Sequence, residues 1–263
     1  MTTLQPATLE PATSPSPYYL YYWPSLPGRG EFPRLMLEAA QAPYVDVGQL
    51  PEAEGGGSKG IRSFLGSPEV RAAGIYAPPI LTGDGLIIAQ TPNICLFLAP
   101  RLGLVPPGEA AFYQAHQLNL TILDVVNEVH NTHHPIGVTL YYHEQQAESQ
   151  RAAATFLRDR LPRFLRYFEG LLADSGGDWL LGDTFSYVDL SLFQLMRGLE
   201  YAFPHALTVL NPDIPHIQNL CQRVADRPAI AAYLKSDRCI PFNLYGVFRH
   251  YPELDLDLST ANT

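Results

Sequence analysis

The hydrophobic period of this chain changes once, and that change restricts the architecture more than any other feature. Before Leu104-Val105-Pro106-Pro107-Gly108, short apolar runs alternate with helical stretches; after it, the pattern is helical throughout. Tyr18 to Trp23 is short, aromatic and bounded by Pro17 and Pro24, as a strand would be. Gly30 to Ala40 has Phe32, Leu35, Met36 and Ala39 at helical spacing, with Pro33 in the first turn, where a missing N–H costs nothing. Tyr44 to Val47 reads as a second strand. Pro51 to Leu65, with Gly55-Gly56-Gly57, reads as a mobile loop with room for a helical turn. Ile80-Leu81 and Leu86-Ile87-Ile88 flank Gly83-Asp84-Gly85, a hairpin signal, and Thr91 to Leu102 closes the half as a helix. The order is β-α-β-(loop/α)-β-β-α.

The second half offers Phe112 to His133 as one long helix. Leu157, Leu161, Phe164, Leu165, Phe168 and Leu172 form one face of another, which Pro162 should kink. Ser186-Tyr187-Val188-Asp189 has the shape of a capping box before the apolar run Leu190 to Leu199. Residues 215–225 and 228–234 read as two short helices. The expected division is a Pro-rich tail at 1–17, an α/β domain at 18–105, an all-α domain at 109–238 and a C-terminal extension at 239–263. Glu253, Asp255 and Asp257 read there as a solvated end.

Composition narrows the function. The chain has 263 residues, 46% of them hydrophobic, and a formal net charge of −9. Neither half is basic: residues 18–108 carry six basic and seven acidic side chains, residues 109–238 ten and fifteen. A nucleic acid is therefore not an expected partner. Three Cys without a CxxC pair exclude a disulfide scaffold or a zinc module. The longest apolar stretch, 85–100, is interrupted by Gln90-Thr91-Pro92-Asn93, so no membrane span is expected and a cytoplasmic protein is. His130, His133 and His134 precede Pro135 at a helix end without a further ligand at useful spacing, so no metal is expected.

Four local patterns together resemble the cytosolic glutathione transferases. Tyr21-Tyr22-Trp23-Pro24-Ser25-Leu26-Pro27-Gly28-Arg29-Gly30-Glu31 is similar to the first strand and helix start of the tyrosine-type classes, with a sigma-like opening. One extra residue before Gly28 is needed to align it. Ala77-Pro78-Pro79-Ile80-Leu81 resembles the turn with a cis proline before the third strand. Gln90-Thr91 resembles the Gln-Ser pair, and Ser186 to Asp189 the capping box of the buried core helix. Gly48-Gln49-Leu50-Pro51 imitates a glutathione-binding turn, but Pro79, not Pro51, stands eleven positions before Gln90-Thr91.

The resemblance covers about residues 18–238. It implies a thioredoxin-like N-terminal domain plus an all-α C-terminal helical bundle domain, glutathione as co-substrate, no metal, a small hydrophobic electrophile and a homodimer. The implied reaction is attack by the glutathione thiolate, with detoxification as its setting. A free thiol ionises near ~8.5, so the protein must stabilise the anion. Alternation along the first strand puts Tyr18, Leu20 and Tyr22 on one face, and Tyr22 at its end is the candidate donor to sulfur, with Ser25 the rival. Arg29 is the candidate cation for the glycyl carboxylate, with Lys59 and Arg62 as alternatives. Pro78 and Pro79 flank the cysteinyl backbone, and Gln90 and Thr91 offer a helix start to the γ-glutamyl carboxylate. Pro78 departs from the pattern because it has no N–H to give. Phe112, His116, Leu120, Phe242, Tyr245 and Phe248 are candidates for the acceptor pocket. Two other readings are kept: the same thiolate used in isomerisation, reduction or peroxide chemistry, and a non-catalytic binding protein on the same fold.

Overall fold

The computed structural model describes residues 17–256 and 258. The α/β unit holds a four-stranded sheet in the order β2-β1-β3-β4. The strands are β1 (Tyr18–Tyr21), β2 (Tyr44–Asp46), β3 (Ile80–Gly83) and β4 (Leu86–Ala89). β1 and β2 run parallel across the crossover helix α1 (Glu31–Ala39); β1–β3 and β3–β4 are antiparallel. Tyr18 and Leu20 face the core and Tyr19 faces solvent, as the alternation predicts. The strand ends two residues earlier than expected, so Tyr22 lies just past its paired part.

The glycine-rich segment is more ordered than the sequence suggests. It forms α2 (Gly57–Leu65) and α3 (Pro68–Ala72). Ile61 is buried, and Phe64 stacks on Tyr21 with ring centroids 4.0 Å apart. Tertiary contact here overrides the weak helix propensity of Gly57 and Gly60. α4 (Thr91–Arg101) closes the unit and packs with α1 against the sheet.

The helical unit contains α5 (Glu109–His133), α6 (Gln146–Thr155), α7 (Leu161–Asp174), α8 (Tyr187–Ala202), α9 (Pro204–Leu210), α10 (Pro215–Asp226) and α11 (Pro228–Leu234). At Pro162 the regular helix is interrupted, as expected, and the interruption takes the form of a π turn. Pro162 cannot donate to Arg158, and the chain spends Phe156–Arg160 as one π turn, with Leu161 N–H bonded to Phe156 O. α8 is the buried core helix. Asp189 accepts from Leu180 N–H at 2.9 Å, Ser186 N–H at 2.8 Å and the Ser186 hydroxyl at 2.8 Å. Burial raises the Asp189 carboxyl to about 6, against the lowering effect of those donors.

α1 joins the two units. Buried Arg34 pairs with Glu31 and with Asp46 at 2.8 Å. Glu31 also accepts from the Tyr233 hydroxyl at 2.8 Å, and Glu38 from Arg238. The unexpected element is the C-terminal segment. Leu254 is buried, and Asp255 accepts the His205 and Ala206 N–H groups at 2.8 and 3.0 Å, capping α9. Asp255 is therefore part of the core, not a solvated end; Asp257 and 259–263 lie outside the described residues.

Candidate functional site

The sheet register lines up the candidate residues. Tyr21 pairs with Ile80, and Ile80 with Ala89. One step beyond those pairs, Tyr22, Pro79 and Gln90 stand at the same end of three adjacent strands. The Pro78–Pro79 bond is cis, and Gln90 has φ +69°, an uncommon conformation for a side-chain-bearing residue. Gln90 is the N-cap of α4. Ile94 N–H bonds back to Gln90 O, while Pro92 contributes no donor, so Thr91 and Asn93 bring the N–H groups of the first turn.

Tyr22 is 6% exposed and lies under the turn Gly28-Arg29-Gly30. Its hydroxyl accepts from Arg29 N–H at 3.0 Å. As an acceptor there, the phenol keeps its own proton to give. The two glycines make this approach possible. A Cβ at Gly28 would collide with the Tyr22 hydroxyl, and one at Gly30 would sit 2.6 Å from the ring. Burial raises the Tyr22 phenol above its ordinary range, opposed by Arg29 N–H and by the charges of Arg29 and Arg34. It therefore stays protonated at neutral pH, with a proton available to donate. The rival Ser25 is exposed with φ 60°, and its carbonyl is held by Asn243 Nδ2 at 2.7 Å.

Arg29 ties the site together in three directions. Its N–H serves Tyr22, its carbonyl accepts from Thr91 Oγ1 at 3.2 Å, and its guanidinium donates to Asn127 Oδ1 on α5 at 2.7 Å. The side chain thus turns into the cleft between the two units. Lys59 and Arg62, the alternative cations, stand on α2. Asn127 lies seven residues beyond Leu120, about 10 Å along the helix. Phe248 is buried against Gly198, and Phe242 stacks on Tyr201, so both are packing residues. Tyr245, 80% exposed, is the one member of that trio still presented.

His130, His133 and His134 form a ring cluster with centroids 4.9–5.1 Å apart. His133 Nε2 meets Val247 O at 2.8 Å, and His134 Nδ1 meets the Gln145 side-chain amide at 3.1 Å. No group of three potential ligands among the described residues is placed to hold a metal ion. Burial first, and then nearby Arg charges, lower His130 to about 4; burial lowers His133 to about 3 against its bond to Val247. Both folded-state values lie below the unfolded ~6.5, so the unfolded chain binds more protons between about pH 4 and 6.5. Stability is thus expected to be full above about pH 6.5 and to fall as pH drops toward 4. Asp189 works in the opposite sense between about pH 4 and 6, with a smaller shift. Urea unfolding at several pH values checks this: the slope should be shallower in His133→Gln, which keeps a donor for Val247 and cannot titrate.

Comparison with known proteins bears on the family and the fold. The family model described as glutathione S-transferase, C-terminal domain, matches residues 130–237. A glutathione S-transferase of Plasmodium yoelii yoelii is 26% identical over 207 residues, covering 79% of this chain and 88% of that protein. These similarities support a place in the cytosolic glutathione transferase superfamily. The Pi-class glutathione S-transferase of Onchocerca volvulus has the same fold, with a TM-score of 0.63 at 22% identity, over 84% of this chain and 93% of that one. Prostaglandin synthase D of Nilaparvata lugens also scores 0.63, at 18% identity, over 86% of this chain and all of its own. No helix among the described residues is long and apolar enough to cross a membrane.

Proposed function

We propose that this chain is a glutathione transferase in which Tyr22 donates a hydrogen bond to the glutathione sulfur. The stabilised thiolate attacks a small electrophile carried between the two units. The observation that carries this reading is the alignment of Tyr22, Pro79 and Gln90 at one sheet end, with the Tyr22 hydroxyl accepting from Arg29 N–H. One hydrogen bond to a charged sulfur is worth about 1.5–3 kcal/mol, and the nearby start of α1 adds roughly 0.3–1 kcal/mol. Together they lower a thiol near ~8.5 by about two units, which requires roughly 2.7 kcal/mol.

In this reading the Thr91 and Asn93 N–H groups receive the γ-glutamyl carboxylate, Pro78 accepts from the cysteinyl backbone, and Lys59 or Arg62 faces the glycyl carboxylate. The protein works in the cytoplasm as a homodimer. Support for the dimer is the large apolar surface left on Tyr76 (94% exposed), edge-strand Leu86, Tyr113, Leu120 and Tyr167. Detoxification of hydrophobic electrophiles is the corresponding biological role.

Pro78 favours one other reading, a binding protein of the same fold, because the backbone N–H that would pair with the tripeptide is missing. Restoring it separates the two. Pro78→Leu is expected to lower the KM for glutathione about three- to tenfold if the tripeptide lies along this edge. Retention on immobilised glutathione, followed by turnover of a chlorodinitrobenzene, tests the transferase reading itself. Failure to bind at millimolar glutathione would leave only the fold in common.

A further inference from the structure

Two buried histidines where α5 ends hold their neighbours only as neutral rings. His133 is 1% exposed, and its Nε2 meets Val247 O at 2.8 Å. A carbonyl only accepts, so Nε2 carries the proton and Nδ1 is bare. That Nδ1 is buried and has no hydrogen-bond partner among the described residues. A second proton placed there would meet no acceptor.

His134 is fixed in the other tautomer by Gln145, which is also buried. Gln145 Oε1 accepts from Ile136 N–H at 3.0 Å and from Gly137 N–H at 3.4 Å. Its Nε2 faces Gly137 O, Leu140 O and His134 Nδ1, each at 3.1 Å, with two N–H groups to share among them. Backbone groups cannot exchange donor and acceptor roles, so this amide cannot turn over. His134 Nδ1 is therefore an acceptor, and protonating it would set N–H against N–H. Gln145 would then lose its hold on residues 136–140.

The elements packed around the pair bring no uncommitted buried carboxylate. Glu144 accepts from Tyr141 N–H at 2.6 Å, Glu253 from the Tyr142 hydroxyl at 2.8 Å, and Asp255 caps α9. On α5, Glu128 is paired with Arg160 at 2.7 Å; Asp124 and, on α6, Glu148 are exposed. Tyr251 presents a neutral ring to His133, and His130 adds a third imidazole. Burial first, and then the like charge of Arg249, lower His134 against the pull of the Leu140 carbonyl.

We propose that His133 and His134 are an acid-released catch: protonation frees the C-terminal segment from α5 and the 136–140 loop from Gln145 while the rest of the fold stays closed. The released segment carries Val247 and Phe248 out of the core. It also takes Asn243 from the Ser25 carbonyl, three residues from Tyr22, so acid loosens the turn beside the site. The catch does not depend on the transferase reading.

Amide hydrogen exchange of the full chain at pH 7.5 and 5.5, each rate divided by its intrinsic value, tests this. An opened histidine titrates near ~6.5, so each fastening should lose about tenfold in protection over that interval. The loss should appear at Ile136 and Gly137 in the loop and at Tyr245 and Leu254 in the segment. At pH 5.5 those amides should hardly respond to about 1 M urea, because a local opening exposes little surface, whereas α8 amides should respond strongly. His133→Gln, whose amide still donates to Val247 O, should flatten the pH dependence of the segment. His134→Asn, whose oxygen stands in for Nδ1, should flatten that of the loop. Protection unchanged with pH, a loss with the urea response of α8, or a dependence that survives in full in the matching variant would each overturn the proposal. If a variant does not fold, the wild type decides alone: a urea-insensitive loss in loop and segment supports the catch, and any other result refutes it.

Discussion

A Tyr22→Phe protein is expected to bind glutathione about as tightly as the wild type and to conjugate it about ten- to a hundredfold more slowly near pH 6.5. The loss is one hydrogen bond to a charged sulfur, about 1.5–3 kcal/mol, or one to two pKa units. Below the bound-thiol pKa, the thiolate fraction falls by that same factor. The deficit should shrink as pH rises toward about 9, because the sulfur then ionises without help. The Tyr22 phenol itself remains protonated across this range, since burial raises it above its ordinary value. The check is the pH profile of kcat/KM for both proteins with a chlorodinitrobenzene. Identical inflections would remove Tyr22 from the role and turn attention to Ser25→Ala.

The second large effect is on folding. Asp189→Ala should cost about 3–5 kcal/mol of unfolding free energy near pH 7. The substitution leaves Leu180 N–H, Ser186 N–H and the Ser186 hydroxyl without their acceptor inside the core. It also opens the start of α8, the helix on which α5, α10 and α1 pack. Urea unfolding measures the loss directly. A change below about 1 kcal/mol would mean that the turn from Leu180 to Ser186 re-forms around water. Because α1 packs on α8 and begins directly after Gly30, which lies against the Tyr22 ring, glutathione affinity should fall with stability in Asp189→Ala, whereas in Tyr22→Phe it should not.

Much of this was legible in the chain before its structure. The change of period separates sheet from bundle, because a half-buried strand repeats every two residues and a helix every 3.6. Leu20 fixed the face of Tyr22 by the same rule. Ser186 to Asp189 and Pro162 were legible because a cap and a missing N–H act within one turn. What stayed hidden depends on distant partners. Nothing local tells that Arg29 reaches Asn127, that Asp255 caps a helix fifty residues away, or that Val247 O meets His133 from the other end of the chain. α2 was read as no more than a helical turn in a loop for a related reason: its glycines argue against a helix, and Phe64 stacking on Tyr21 decides otherwise. The direction that the Arg29 side chain takes, toward Asn127 on α5, was not written in its neighbours.

The central claim is that this protein ionises glutathione through Tyr22. The most direct measurement is the ultraviolet absorbance of the thiolate, titrated with pH in the glutathione complex of the wild type and of Tyr22→Phe. The expected inflection is about two units below ~8.5 in the wild type, returning most of the way in the variant. A bound thiol that titrates near ~8.5 in both proteins would contradict the account.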